Sequence, residues 1–324
     1  MIATLFRDDL RLSGAKRNVL AWRCPPRDSA RMSTTASTRT GLLLGIGAYT
    51  LWGVLPLYLR LLNDVPASQV LAHRVIWSLL LLGIVVMVLR RSATIRVAAQ
   101  GRTLLLLAAS AALIAVNWLV YIWSVQNGHV LEASLGYFIN PLVNVALGVA
   151  VLHERIRRWQ AIAIAAAAAG VAVLAFGGGA LWTSLTLAVS FGVYGLIRKI
   201  AAIDALGGLT VETLLLAPFC LAIIVMAGSN GTGAFGADRG TDALLILAGA
   251  VTAAPLLMFA AAARRLRYST MGLLQYIAPT LQFLQAVLLF GEVVRPAQMA
   301  AFALIWVACA LYAWDSLRAS RDVA

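Results

Sequence analysis

Acidic residues are scarce in this chain. Aspartate and glutamate together number 13 of 324 residues, and all charged residues make up 12%. A soluble domain carries about 25% charged and 45–50% apolar residues. Here 61% of residues are hydrophobic and the mean hydropathy is +0.87. A soluble fold of this length cannot cover that much apolar surface, so lipid is part of the solvent. Cysteine is scarce too: Cys24, Cys220 and Cys309 lie far apart and make no ligand-spaced pattern. Cys220 and Cys309 fall inside apolar runs, where a cysteine serves as a small hydrophobe. No glycine-rich phosphate loop is present, which argues against direct driving by ATP. His153-Glu154 is not a zinc motif, because Arg157 stands where the second histidine belongs. Three histidines spread over different segments supply no Ser-His-Asp set. The chain is therefore expected to be no enzyme, with no catalytic residues, no metal and no cofactor.

What is present is a series of long apolar runs, such as 79–89, 104–116 and 161–176. A spanning helix needs about 20 apolar residues, and backbone polar groups in hydrocarbon must be paired within the element. A β-barrel would show short alternating segments instead. The fold class read from these runs is an all-α membrane protein with ten transmembrane helices. The spans fall near 42–61, 69–89, 103–125, 131–151, 157–176, 181–199, 209–227, 243–263, 270–290 and 297–317. The Gly/Ser/Asn stretch 228–240 forms the longest connection.

The net charge of +13 does not point to nucleic acid, because the cations sit in particular loops. All but Arg60, Arg74, Arg239 and Arg295 of the 26 Lys and Arg fall in the N-terminal tail, in alternate connections or at the C-terminus. Positive loops stay in the cytoplasm. The expectation is a multi-pass protein of a bacterial-type inner (plasma) membrane with both termini cytoplasmic. Residues 1–40 read as a basic cytoplasmic tail. Residues 1–31 read as a start chosen too early, since Met32 opens a short polar leader before the first span. A polybasic patch touching anionic lipid is the competing reading.

The chain repeats itself weakly at an offset of 138: Ser134-Leu-Gly-Tyr-Phe-Ile-Asn-Pro141 matches Gly272-Leu-Leu-Gln-Tyr-Ile-Ala-Pro279, Glu154 matches Glu292, and Gln160 matches Gln298. Near that offset, Trp52-Gly53 pairs with Phe191-Gly192. Each half, 41–176 and 177–317, holds five spans, an odd number, so the second is inserted upside down; 318–324 remain as a cytoplasmic C-terminus. Inverted repeats are a design of secondary transporters, whose substrate site lies between the halves near the midplane.

Several stretches resemble a known family: His73-Arg-Val-Ile-Trp77-Ser, Asn117-Trp118-Leu-Val-Tyr-Ile-Trp123, the segment from Glu132 to Asn144, and Gln275-Tyr-Ile-Ala-Pro-Thr280. They are similar to the RarD branch of the EamA family, within the drug/metabolite transporter superfamily. The resemblance covers about residues 40–317. It implies ten helices, two inverted EamA repeats and membrane transport. RarD-like proteins are associated by name with chloramphenicol, and related EamA proteins export amino acids and other small metabolites.

Candidate site residues fall into three sets. Tyr137, Asn140 and Asn144 are spaced to share one face of the fourth span, with Pro141 freeing a backbone carbonyl. Gln275, Gln282 and Gln285 are expected to share a face of the ninth span beside Pro279. These stripes, each on a helix expected to be broken by its proline, Pro141 or Pro279, read as a substrate path, and the bland alternative is amide glue between helices. Asn117, Trp118 and Tyr121 in the third span add an aromatic wall suited to an amphipathic solute. The third set is ionisable: His73 and Arg74 in the second span and Glu212 at the matching place in the seventh. Ionisable groups inside a membrane are rare and usually functional, so these read as coupling groups. The alternative for Arg74 is a side chain that snorkels to the nearby interface. Tyr194 and Arg198 are weaker candidates, and Arg198 also fits the positive-inside set. Glu154 and Glu292 read as structural or gating salt bridges. Trp182, Trp306 and Trp314 are assigned to belts or packing.

The function expected from these features is a secondary transporter that exports small amphipathic metabolites or drugs, chloramphenicol or amino-acid-like, with protons as a candidate coupling ion. A passive facilitator, a membrane-embedded enzyme and a non-transporting sensor are the competing classes. Expected partners are a small-molecule substrate and the lipid bilayer, with no nucleic acid. The oligomeric state is left open, with a homodimer among the options.

Overall fold

The computed structural model describes residues 27–90, 95, 100–152, 157–176, 181–201, 203–263, 265–266 and 268–321. Every regular element among them is helical. In chain order these are α1 (Arg27–Gly53), α2 (Leu55–Arg60), α3 (Ala67–Val88), α4 (Gly101–Gln126), α5 (Val130–Leu152) and α6 (Arg158–Phe176). They continue with α7 (Leu181–Ala201), α8 (Ala205–Ser229), α9 (Arg239–Ala263), α10 (Tyr268–Leu274), α11 (Ile277–Leu288) and α12 (Pro296–Arg321). Among the described residues, 9 segments are long and apolar enough to cross a membrane, α1 and α2 together forming the first. Large apolar side chains cover the outside, including Leu105, Phe176, Phe219 and Val293. An apolar surface so extensive fits lipid and not water.

The expected ninth span is broken. Gln275 and Tyr276 interrupt it between α10 and α11. The cause is Pro279, which lacks an N–H and whose ring crowds the carbonyl four residues back, that of Gln275. The backbone answers with a tighter bond, Tyr276 N–H donating to Leu273 O at 3.3 Å. Pro141 occupies the matching position in α5, yet α5 runs through it unbroken. Pro56 has a comparable effect at the start of α2: the carbonyl four residues back is that of Trp52, and the chain kinks at Val54.

The helices pack in pairs across the bundle. α6 lies along α12, α3 along α8 and α9, α7 along α4 and α5, α9 along α1, and α11 along α5 and α1. Two local details recur near the 138-residue offset. Gly53 lets α11 approach α1 so closely that an added Cβ would lie 2.6 Å from Leu281 Cδ1, and Gly192 does the same on α7, 2.6 Å from Val143 Cγ1. Leu281 and Val143 are themselves 138 residues apart. Arg157 N–H donates to Gln160 Oε1 at 3.1 Å at the start of α6, and Arg295 N–H to Gln298 Oε1 at 2.9 Å at the start of α12.

The bundle has two ends. One, the upper end, carries the connections 61–66, 127–129, 230–238 and 289–295. There Gln69 ties down the long connection, donating to Thr232 O and accepting from Ala234 N–H, both at 2.9 Å. The other, the lower end, carries 203–204 and 265–266. There Arg157 faces Asp315 at 3.3 Å.

Candidate functional site

The interior holds two ionisable centres, one toward each end. Toward the lower end, Glu212 of α8 is 1% exposed. Its carboxylate accepts a short hydrogen bond from the Ser110 hydroxyl of α4 and one from Tyr194 OH of α7 at 3.3 Å. Arg198, one turn along α7 from Tyr194, places Nη1 3.6 Å from Glu212 Oε1. Its Nη2 donates to Asp204 O at 3.3 Å. Gly208 makes the space for this guanidinium, because a Cβ there would overlap Arg198 Nη1 and Cζ. A buried carboxylate is costly unless it is paired and hydrogen-bonded, and three helices meet at Glu212 to do both. The charge of Arg198 therefore belongs to this centre as well as to the positively charged loop.

Toward the upper end, Arg74 of α3 is 3% exposed. It does not snorkel: Nε donates to Thr252 Oγ1 of α9 at 3.0 Å, and the guanidinium lies 5.3 Å from the Trp118 ring of α4. Thr252 in turn donates to Ala248 O at 2.8 Å, fixing its hydroxyl. The packing of α3 against α9 draws the side chain inward, where the interface would otherwise have taken it. Nη1 has no hydrogen-bond partner. Positions 74 and 212 are 138 residues apart, so matching places in α3 and α8 carry opposite charges.

His73 is buried beside Arg74 but turns away from it, stacking on Phe235 of the upper connection with centroids 5.2 Å apart. It contacts neither Glu212 nor the aromatic wall through any hydrogen bond or ion pair among the described residues.

The expected path residues separate into different environments. Asn117 joins three helices: it donates to Leu187 O at 3.1 Å and Ser190 Oγ at 3.0 Å, and accepts from Tyr137 OH at 3.2 Å. Tyr137 packs edge-on against Tyr121, 5.5 Å between centroids, and the Tyr121 hydroxyl is buried without a partner. Asn140 is buried with its Oδ1 unpaired. Asn144, on the other hand, is exposed, near Gly195 of α7. The stripe on α5 thus runs from the interior to the surface.

On the ninth segment the break corrects the expected single face. Gln275 lies at the break, off the helix that carries Gln282 and Gln285. Gln282 Nε2 donates to Trp52 O at 3.2 Å and Gln285 Nε2 to Gly53 O at 2.7 Å. Those are the carbonyls at the α1–α2 kink beside Pro56, so both amides act as glue on this side. Their Oε1 atoms remain buried and unpaired.

Glu292 is a helix cap in place of the expected salt bridge. Its two oxygens accept from Val130 and Leu131 N–H, each at 2.9 Å, at the free N-terminus of α5. Burial holds its carboxyl above the usual range, against those backbone bonds. Glu154 lies outside the described residues, as do Cys24 and the tail before residue 27. Trp306 packs among Phe138, Phe283 and Phe302, Trp314 on Trp159, and the half-exposed Trp182 on Trp123. Cys220 and Cys309 are buried.

Sequence reasoning missed Ser110, Thr252 and Ser190. Single hydroxyls in long apolar runs were the available signal, but such hydroxyls commonly bond their own helix, so only cross-helix geometry distinguishes them.

A sequence profile described as the EamA-like transporter family matches residues 39–176. Protein RarD of Escherichia coli (strain K12) is 45% identical over 293 residues, covering 88% of this chain and 97% of that one. The chain belongs to the RarD branch of the EamA family. Protein RarD of Streptomyces exfoliatus is 47% identical over 293 residues, 90% of this chain and 93% of that one. The chloramphenicol-sensitive protein RarD of Pseudomonas aeruginosa is 36% identical over 294 residues, 88% and 97%. A solved crystal structure at 20% identity matches the fold with a TM-score of 0.57, covering 88% of this chain and 98% of that one. This RarD-type chain is accordingly a multi-pass transporter of the drug/metabolite transporter superfamily, with the all-α membrane fold of that group.

Proposed function

We propose that this RarD-type protein is a secondary exporter of small amphipathic metabolites, working by alternating access between two inverted halves, 41–176 and 177–317, with both termini cytoplasmic. The observation that carries the reading is the pair of buried ionisable centres at the matching positions 74 and 212. Two similar halves in opposite orientation have inward-open and outward-open states of similar energy, and the recurring Gly53–Leu281 and Gly192–Val143 contacts support that design. The substrate path runs between the centres, past Tyr121, Tyr137, Asn117 and Trp118.

Glu212 is the proposed coupling group. It is the buried carboxylate whose partners, Ser110, Tyr194 and Arg198, come from two other helices. Protonation neutralises it and weakens its hold on Arg198. That frees α7 to move against α8 and opens the lower end. Reloading from the other side restores the pair. The coupling free energy is the difference in proton affinity between the two access states.

The test is flux in liposomes of a mixed pool of amino acids, chloramphenicol and small aromatic metabolites, with and without an imposed pH gradient. Gradient-stimulated flux that falls in Glu212→Gln supports coupling through this centre. Flux that ignores the gradient and survives Glu212→Gln identifies a facilitator. No flux of any solute from folded protein overturns transport of these classes.

A further inference from the structure

We infer that Arg74 is the receptor for an anionic group on the substrate, so that the native cargo carries a carboxylate on an aromatic or apolar body. This rests on the transport reading above and adds the substrate class to it.

The argument starts from charge. Arginine stays protonated in proteins, and an uncompensated buried cation is strongly destabilising. Glu212, the equivalent residue of the other half, resolves the same problem with a cation, Arg198, and two hydroxyls. Arg74 has no such partner: no ion pair joins it to a carboxylate among the described residues. Among the described residues, the titratable groups around it include the phenols of Tyr58, Tyr121 and Tyr137, which are uncharged near neutral pH. Among the described residues the guanidinium makes one hydrogen bond, from Nε to Thr252, and Nη1 is left without a partner.

Geometry makes the proposed site specific. Arg74 is seven residues into α3, about 10 Å from its start at 1.5 Å per residue, and its neighbours come from α2, α4, α5 and α9. Its burial behind those helices shields it from lipid headgroups at the surface, so an anion would reach it along the path proposed above. A guanidinium fork suits a carboxylate through two parallel bonds. The walls beside it, Trp118, Tyr121 and Tyr137, suit an aromatic or apolar body, and the unpartnered Tyr121 hydroxyl supplies a further donor. Neutral chloramphenicol lacks the group that Arg74 requires.

The experiment is equilibrium dialysis of the purified full chain in a neutral detergent, with radiolabelled phenylacetate and L-phenylalanine against their amides, phenylacetamide and L-phenylalaninamide. Each carboxylate should bind at least about tenfold tighter than its amide, since a charge-assisted bond outweighs a neutral one. Arg74→Gln should reduce carboxylate binding to the amide level, and Arg74→Lys should keep part of it. Absence of carboxylate binding, equal binding of acid and amide, or undiminished binding in Arg74→Gln overturns the inference. The acid–amide comparison uses the wild-type chain, so it stands if Arg74→Gln does not fold. Flux in neutral-lipid liposomes separates the two proposals. Flux of chloramphenicol without carboxylate binding defeats the anion site and leaves transport standing. Carboxylate binding without flux does the reverse.

Discussion

Gly208→Ala probes the lower centre through a single methyl group. The new Cβ would overlap Arg198 Nη1 and Cζ. The obstructing atoms are the far end of a long side chain, so the guanidinium moves while the backbone stays. Moving it breaks the 3.6 Å approach to Glu212 and leaves a carboxylate that is 1% exposed without its cation. Leaving a buried polar group unsatisfied costs about 1–3 kcal/mol. Against this, alanine is favoured over glycine in a helix by about 1 kcal/mol. The net expectation in the wild type is a loss of up to about 2 kcal/mol. In an Arg198→Ala background the obstruction is gone and only the helix preference remains, so the same substitution should stabilise by up to about 1 kcal/mol. The sign therefore reverses between backgrounds, a coupling that a double-mutant cycle reads directly. Reversible unfolding in mixed micelles by SDS titration measures it for all four proteins. If Gly208→Ala stabilises both backgrounds equally, the Arg198–Glu212 packing argued above is wrong.

Three further outcomes follow from the same geometry. Gln285→Leu removes the 2.7 Å bond to Gly53 O at the α1–α2 kink and should lower unfolding stability by about 1–3 kcal/mol, since that buried carbonyl loses its donor; no change would mean that the kink finds another partner. Glu292 bears on pH. Burial raises its carboxyl above the ordinary range, with Glu132 acting the same way and the Val130 and Leu131 bonds and Arg60 opposing. The folded chain therefore holds the proton to higher pH than the unfolded chain. The stability tied to that proton is present below the ordinary carboxylate value of about 4.3 and is lost as pH rises through the raised value. Thermal unfolding followed over mildly acidic pH should show that decline, and Glu292→Gln, neutral throughout, should flatten it. Asn144→Ala should change unfolding stability little, because the side chain is exposed and has no hydrogen bond among the described residues; reduced substrate flux with stability intact would place it on the path, and unchanged flux would remove it from the path.

Much of this architecture was legible in order of residues alone. Apolar runs of about 20 residues have one solution in hydrocarbon, because each helix satisfies its own backbone. The 138-residue repeat, from Tyr137 and Gln275 to Gln160 and Gln298, likewise needed no coordinates. Pro141 and Pro279 were both expected to break their helices, and only Pro279 does. Whether a proline bends or breaks a helix, however, depends on surroundings that the residue itself does not specify, and Pro141 and Pro279, at matching positions, differ. Arg74 shows the same limit. Its distance from the span end allowed either snorkelling or burial, and Thr252 and Trp118, from segments remote in sequence, decided for burial.

The sequence by itself determined the solvent, the helical class, the family and the positions of the rare ionisable residues, since these follow from composition and period. The pairing of those residues was decided only by tertiary structure. Arg198 and Glu212 are neighbours because Gly208 leaves room between α7 and α8, Gln282 and Gln285 face the α1 kink because Gly53 admits α11, and Arg74 pairs with no carboxylate among the described residues because the polar groups brought to it come from tyrosine, tryptophan and threonine. Each is a contact between segments far apart in the chain, where side-chain volume and hydrogen-bond direction decide, and neither leaves a period to read.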